Sequence, residues 1–208
     1  MARRSEHSKE EIRDMALAAA EHIINADGLA GLSARKITAK IGYTVGTLYL
    51  VFKNLDDLIL TINARTLDAM AVNMQQALQK CRQPRTCVVA MGRAYVEFAT
   101  SNPQLWNMVF EHRLPEGEQV PDWFADKVNK LFQLVESQLT LLLDNQTEKK
   151  IDLASKAIWC GVHGICSLAI TGKLEINNIE SINLLTDSLI NNYLAGLSMG
   201  LSSGSKGE

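Results

Sequence analysis

Apolar residues recur at three- and four-residue spacing along nearly the whole chain, without the strict alternation of a half-buried strand, so the pattern predicts an all-α protein. Prolines stand only at Pro84, Pro103, Pro115 and Pro121, which leaves long helical windows between them. A first helix opens on Ser8-Lys9-Glu10-Glu11, a capping box, carries Ile12, Met15, Ala16, Ala19 and Ile23 on one face, and stops at Asp27-Gly28. Ser33 can cap a second helix to Ile41, Gly42-Tyr43 breaks it, and Thr44 can cap a third ending near Phe52. A long fourth helix is predicted from Leu55 to about Lys80, with Leu55, Leu58, Ile59, Ile62, Ala69 and Met70 as its apolar face. Further helices are predicted over Thr86 to Ser101, Pro103 to His112, Pro121 to about Asp144, Ile151 to Thr171, and Ile179 to about Leu197. Arg113 to Val120 reads as a loop. The implied organisation is a small helical head over 1–53, a larger helical body over 54–198 and a flexible tail over 199–208.

Composition narrows the class. With 208 residues, 47% apolar and 21% charged, the chain has an ordinary core, which excludes disorder, collagen and a coiled-coil rod. The longest uncharged stretch of the C-terminal half, Ala157 to Gly172, is too short and, with His163, too polar to span a bilayer. Met1 to His7 lacks the apolar core of a secretory signal, so a soluble, cytoplasmic protein without a membrane partner is expected. Cys81, Cys87, Cys160 and Cys166 form two pairs with five residues between, matching no zinc spacing and sparse for a disulfide framework, so reduced thiols are expected. The net charge is −2, but residues 1–53 carry eight Lys and Arg against six Asp and Glu, a mildly basic head on an acidic body.

A DNA-reading helix-turn-helix needs two short helices clamped by a small core, the second lying in the major groove. Ser33 to Phe52 meets that need: Ile37, Ile41, Val45, Leu48 and Phe52 can face inward, leaving Arg35, Lys36 and Lys40 on one helix and Thr44, Thr47 and Tyr49 on the other. Gly46 costs such a short helix about 1 kcal/mol relative to Ala, which close approach of the backbone to DNA would offset. Arg3 and Arg4 can enter a minor groove from a mobile arm, or merely solubilise the terminus.

Leu32-Ser33-Ala34-Arg35-Lys36-Ile37, then Ile41-Gly42-Tyr43-Thr44-Val45-Gly46-Thr47-Leu48-Tyr49, then Phe52-Lys53-Asn54-Leu55-Asp56-Asp57-Leu58 together resemble the tetracycline-repressor (TetR) family over about the first 60 residues. The resemblance implies a homodimeric repressor with a helical ligand-binding body. It places Thr44 and Thr47 at the helix cap and at phosphates or bases, Tyr49 at the backbone, and Lys53 at the opening of the fourth helix. Val45 stands where the family often has a polar or basic residue, and Leu50 where it often has His or Tyr. The expected DNA-facing set is Arg3, Arg4, Ser33, Arg35, Lys36, Lys40, Thr44, Val45, Gly46, Thr47, Tyr49 and Lys53.

In the body, Trp159-x-x-x-His163-Gly164 resembles the family's subgroup named for Trp-His-Gly. Trp159 and His163 share a helix face, and Gly164 permits close approach of another helix. His163 reads either as a hydrogen-bonded core or interface histidine or as a ligand contact. Tyr95, Phe98, Trp106, Phe110, Trp123, Phe124 and Phe132, with Trp159 and His163, are the candidate lining of a pocket for an apolar or aromatic effector, although most can simply be core. Trp159, Gly164, Leu168, Ile182, Leu185, Leu189 and Tyr193 are candidates for a four-helix dimer interface.

No catalytic constellation, metal site or cofactor motif is expected. Gly196-Leu197-Ser198-Met199-Gly200 mimics a nucleophile elbow, but no strand precedes it and no His follows. Gly161-Val162-His163-Gly164 mimics an RNA-binding loop without the sheet it needs. The expectation is a ligand-responsive repressor bound to double-stranded, palindromic operator DNA as a homodimer and released by a small effector. The alternative is a helical carrier or enzyme with a vestigial head.

Overall fold

The computed structural model describes residues 7–143, 146–176 and 178–204, with side chains up to Leu197. Arg3 and Arg4 lie outside the described residues, as do 205–208 of the expected tail. In chain order the elements are α1 (Lys9–Asp27), a 3-10 turn (Leu29–Gly31), α2 (Ala34–Ile41), α3 (Val45–Leu48), α4 (Leu55–Gln79), α5 (Pro84–Ser101), α6 (Pro103–Glu111), α7 (Asp122–Leu142), α8 (Glu148–Ile170) and α9 (Ile179–Gly204). No strand occurs among the described residues, and the all-α class holds.

Local chemistry explains the boundaries. Ser8 N donates to the Glu11 carboxylate at 2.6 Å while Glu11 N donates to Ser8 Oγ at 3.2 Å, closing the box that starts α1. The same backbone donor holds the Glu11 carboxyl below its ordinary value. α3 stops at Leu48 rather than near Phe52. Tyr49 leaves helical geometry at φ −80° and ψ 1°, and Leu50 N and Val51 N bond three residues back, to Thr47 O and Leu48 O. α9 passes the expected end near Leu197 and continues to Gly204, so 199–204 are helical backbone rather than tail.

Contacts divide the chain into two compact units. The first holds the residues up to Thr66 together with Gln104–Phe124, and the second holds Leu67–Pro103 and the chain from Ala125 onward. Division by chain order at residue 54 thus differs from division by contact, which falls inside α4 and groups α6 with the head. The core of the first unit shows why. Leu17, Ile24, Ile37, Leu48, Leu58 and Ile62 are sealed from solvent, and Met108 of α6 is 0% exposed in the same cluster. Each such side chain contributes about 1.5–3 kcal/mol of burial.

In the second unit α5, α8 and α9 pack on one another. The inward face of α9 is Ile182, Thr186, Ile190 and Leu194, so of the α9 residues expected at a dimer interface Ile182 is buried within the protomer, Leu189 and Tyr193 are half-buried and Leu185 is 37% exposed. α8 and α9 meet at Gly161, where an added Cβ would lie 2.5 Å from Leu189 Cδ2, whereas a Cβ on Gly164 would meet nothing within 4 Å. The close-approach glycine within the protomer is therefore Gly161, not Gly164. By length and composition α8 could cross a bilayer, with mean hydropathy 1.4 over its most apolar window. The expectation of four reduced thiols is corrected: Cys81 and Cys87 form a disulfide with Cα atoms 5.4 Å apart, because the α4–α5 turn folds them together. Cys160 is exposed and Cys166 buried, both unpaired.

Gly92 sits where α5 crosses α9, and a Cβ there would lie 2.5 Å from Ile190 Cδ1 and 3.3 Å from Thr186 Cγ2. Both neighbours are 0% exposed, so neither can swing out into solvent. Gly92→Ala is expected to destabilise the fold by about 1–3 kcal/mol, read as a lowered urea midpoint, and an unchanged midpoint would contradict this packing.

Candidate nucleic-acid interface and aromatic cluster

The head separates an inner from an outer set of residues. Ile37 and Leu48 are buried at 0% and 1% exposure, which turns Arg35, Lys36, Lys40, Thr44 and Gly46 outward as exposed groups. Ser33 Oγ accepts from Lys36 N at 3.3 Å and caps α2; Gly42, at φ +75°, ends it. Thr44 Oγ1 accepts from Thr47 N at 3.2 Å and lies 3.0 Å from Thr47 Oγ1, so the two hydroxyls stand side by side at the start of α3. Val45 is half-buried, and Tyr49 is 45% exposed. At Gly46 a Cβ would have only Thr44 Oγ1 within 4 Å, at 3.7 Å. Nothing inside the protein requires glycine there.

The cations are available rather than locked. Lys36 Nζ pairs with Asp27 at 3.1 Å, with about half of each side chain exposed, an arrangement that contributes little in water and yields readily to a phosphate. Lys40 Nζ stands 3.3 Å from His22 Nδ1. Lys53 is held through its backbone, whose N–H donates to Asp57 Oδ2 at 2.9 Å, while Asn54 Oδ1 caps Asp57 N at 2.8 Å. Its side chain is exposed at the mouth of α4.

Sequence reading missed Arg13 and Tyr43. The Arg13 guanidinium donates to Val51 O at 2.8 Å and to Thr61 Oγ1 at 3.1 Å, and its carbon lies 4.3 Å from the Phe52 ring centre. One α1 residue thus pins the turn after α3 to α4. Tyr43 Oη meets His7 Nδ1 at 2.7 Å. Partners 36 to 48 residues apart leave no mark on local periodicity.

The nine candidate pocket residues divide between the units. In the second, Tyr95 Oη and His163 Nδ1 are hydrogen-bonded at 3.1 Å, His163 stacks at a tilt on Trp159 with centroids 5.2 Å apart, and Trp159 meets Phe132 edge-on at 5.7 Å. Phe98 is buried core. Burial lowers the His163 pKa below its ordinary 6.5, which keeps the imidazole neutral at pH 7. Trp106, Phe110, Trp123 and Phe124 belong to the first unit. There Trp106 is buried and pairs edge-on with Phe110 at 5.1 Å, Phe124 is buried, and Phe110 and Trp123 are 38% and 45% exposed. Two grooves of the second unit, of about 420 and 330 Å³, are lined by aliphatic and polar groups such as Thr100, Ile170 and Ile182 in one and Arg85, Arg93 and Asn191 in the other. No candidate aromatic residue lines either. Among the described residues no group of His, Cys, Asp and Glu could hold a metal.

Two family descriptions match the chain. Residues 16–62 match the description "Bacterial regulatory proteins, tetR family", and residues 88–193 match "Tetracyclin repressor-like, C-terminal domain". No curated protein matches in sequence. Among solved structures, a protein of unknown function from Rhodococcus sp. RHA1 is similar with a TM-score of 0.76 at 18% identity, over 93% of this chain and 98% of that one. The TetR family transcriptional regulator PfmR from Thermus thermophilus has a TM-score of 0.60 at 12% identity, covering 86% and 97%. The transcriptional regulator FadR from Bacillus subtilis, solved with stearoyl-CoA, has a TM-score of 0.65 at 15% identity, covering 88% and 98%. The C-terminal match alone takes in more than half of the chain, and with the helix-turn-helix match before it the protein belongs to the TetR family of transcriptional regulators.

Proposed function

We propose that the chain is a cytoplasmic repressor that binds a palindromic operator as a homodimer and leaves it when a small apolar or aromatic effector binds, with no catalytic step of its own. The supporting observation is the outward edge of the head: Arg35, Lys36, Lys40, Thr44 and Gly46 are exposed and Thr47 is half-exposed, while Ile37 and Leu48 are buried and Ile41 and Val45 half-buried. A glycine that the protein's own packing does not demand, between two threonine hydroxyls, suits a backbone that lies close to DNA. Dimerisation is supported by Leu153, Leu168, Leu184 and Leu185 of α8 and α9, which are 37–67% exposed, and by the open side of Gly164.

For the effector we favour the cluster of Tyr95, Phe132, Trp159 and His163, which offers aromatic faces and one neutral hydrogen-bonding pair. The first-unit aromatics, Trp106, Phe110, Trp123 and Phe124, are not part of this proposal. The Trp-His-Gly subgroup remains a reading of Trp159, His163 and Gly164. Because an effector acts only through its different affinity for two conformations, it must favour the one whose heads no longer match the half-sites.

Selection of genomic fragments by the purified protein, followed by salt titration of the best fragment, tests the DNA-binding reading. Lys40→Ala is expected to weaken binding to all sequences and reduce the salt slope by about one, whereas Thr47→Ala changes preference at particular base pairs by about 1–3 kcal/mol. An absence of enriched fragments would turn the reading toward a helical carrier or enzyme. For the cluster, the unfolded chain takes up the His163 proton before the folded one as pH falls, since the folded value is the lower. Stability from this group is complete above pH 6.5 and is lost as pH falls through the folded value. Urea midpoints measured from about pH 7.5 to about 5.5 are expected to fall more steeply for the parent chain than for His163→Gln, and parallel curves would contradict a buried neutral His163.

A further inference from the structure

The α4–α5 turn holds two cysteines in a setting that the proposed function does not use. Cys81 follows the last turn of α4 and is half-exposed; Cys87 lies in the first turn of α5 and is 2% exposed. Backbone bonds hold both independently of the disulfide: Cys81 N donates to Leu78 O at 3.3 Å, and Cys87 N donates to Gln83 O at 2.9 Å. Opening the disulfide therefore leaves the two sulfurs within reach of each other. Lys80 and Arg82, both exposed, flank Cys81 in sequence, while Arg85 and Arg93 are engaged by Asn191 and Asp187. Cations beside a thiol favour the thiolate, the nucleophilic form.

We propose that Cys81 and Cys87 are a reversible dithiol–disulfide couple that reacts with peroxides, Cys81 attacking and Cys87 resolving, and whose closure alters operator affinity through the end of α4. In the first step the Cys81 thiolate attacks the O–O bond, becoming a sulfenic acid, and the leaving alkoxide or hydroxide takes a proton. In the second the Cys87 thiol attacks the Cys81 sulfur and expels water. Two thiols and one peroxide thus give one disulfide, one alcohol or water, and one further water; the two sulfurs supply both electrons. A low-molecular-weight thiol reverses the change by two exchanges. The order of attack follows exposure, because a peroxide reaches half-exposed Cys81 before buried Cys87. Cys166 offers no such chemistry, since burial pushes its thiol up to about 12. The consequence for DNA rests on the proposed function: a disulfide in a protein that works beside chromosomal DNA, in a reducing compartment, is a responsive pair rather than a staple. α4 runs from Leu55 beside the head to Gln79, two residues before Cys81, so the pair adjoins the far end of the helix that leaves the head.

The test uses the full chain, reduced with a monothiol, freed of it and treated with hydrogen peroxide. Peptide mapping is expected to show the Cys81–Cys87 link forming and then opening again under the monothiol, with helicity unchanged. In Cys87→Ser, dimedone is expected to trap a sulfenic acid on Cys81, labelled about tenfold faster than Cys160, and in Cys81→Ser residue 87 stays unlabelled. Labelling of Cys81 no faster than Cys160, or a link that resists the monothiol, would overturn the couple. Oxidised and reduced forms are then titrated on the selected fragment, where about a fivefold or larger difference in affinity is expected and equal affinities would overturn the coupling. If the thiol chemistry runs as expected and neither form binds any fragment, the DNA-binding reading fails and the redox couple stands.

Discussion

A helix of four residues cannot hold itself together, and α3 is that short. One hydrogen-bonded turn does not recover the entropy of fixing its dihedrals, so the shape of the Thr44–Tyr49 edge is borrowed from burial elsewhere. Leu48 supplies it by inserting into a closed core beside Ile37 and Phe52, and Met108 of α6 completes that core. Arg13 then ties the chain leaving α3 to α4 through Val51 O and Thr61 Oγ1. The outward residues of the head are free to meet another molecule because the inward ones have already met their partners.

Charge works in the same division of labour. Lys36 and Lys40 on α2 are exposed, one weakly paired and one beside a histidine, so little must be broken when a phosphate replaces the partner. The network at the mouth of α4 is different: Asn54 and Asp57 spend their side chains on backbone N–H groups, which sets the start of the long helix and leaves the Lys53 ammonium outward. Structural and recognition roles are thus carried by neighbouring residues of opposite exposure.

In the second unit an apolar helical wall carries one polar pair. Tyr95 and His163 satisfy each other across α5 and α8, and desolvation keeps the histidine uncharged, so the wall stays compatible with apolar neighbours while keeping a hydrogen-bonding group. Helix approach is set by Gly161 and Gly92, each with a neighbouring side chain 2.5 Å from the missing Cβ. Leu153, Leu168, Leu184 and Leu185 are left exposed outside this packing.

The amino-acid order by itself determined the features that depend on neighbours within a turn or two. These are the capping box at Ser8, the caps at Ser33 and Thr44, the left-handed glycine ending α2, the all-helical class, and the head-first order that carries the family resemblance. Each is written in residues three or four apart, which a helix places side by side. What the order did not show lies between distant residues: the Arg13 anchor, Met108 in the core of the head, the separation of the nine aromatic candidates between two units, and Gly161 rather than Gly164 at the α8–α9 crossing. Cys81 and Cys87 are close in sequence, yet their pairing depended on how the turn between two helices folds, which spacing does not encode. Only the tertiary structure decided these, because such contacts are selected by the mutual fit of surfaces that no local period describes.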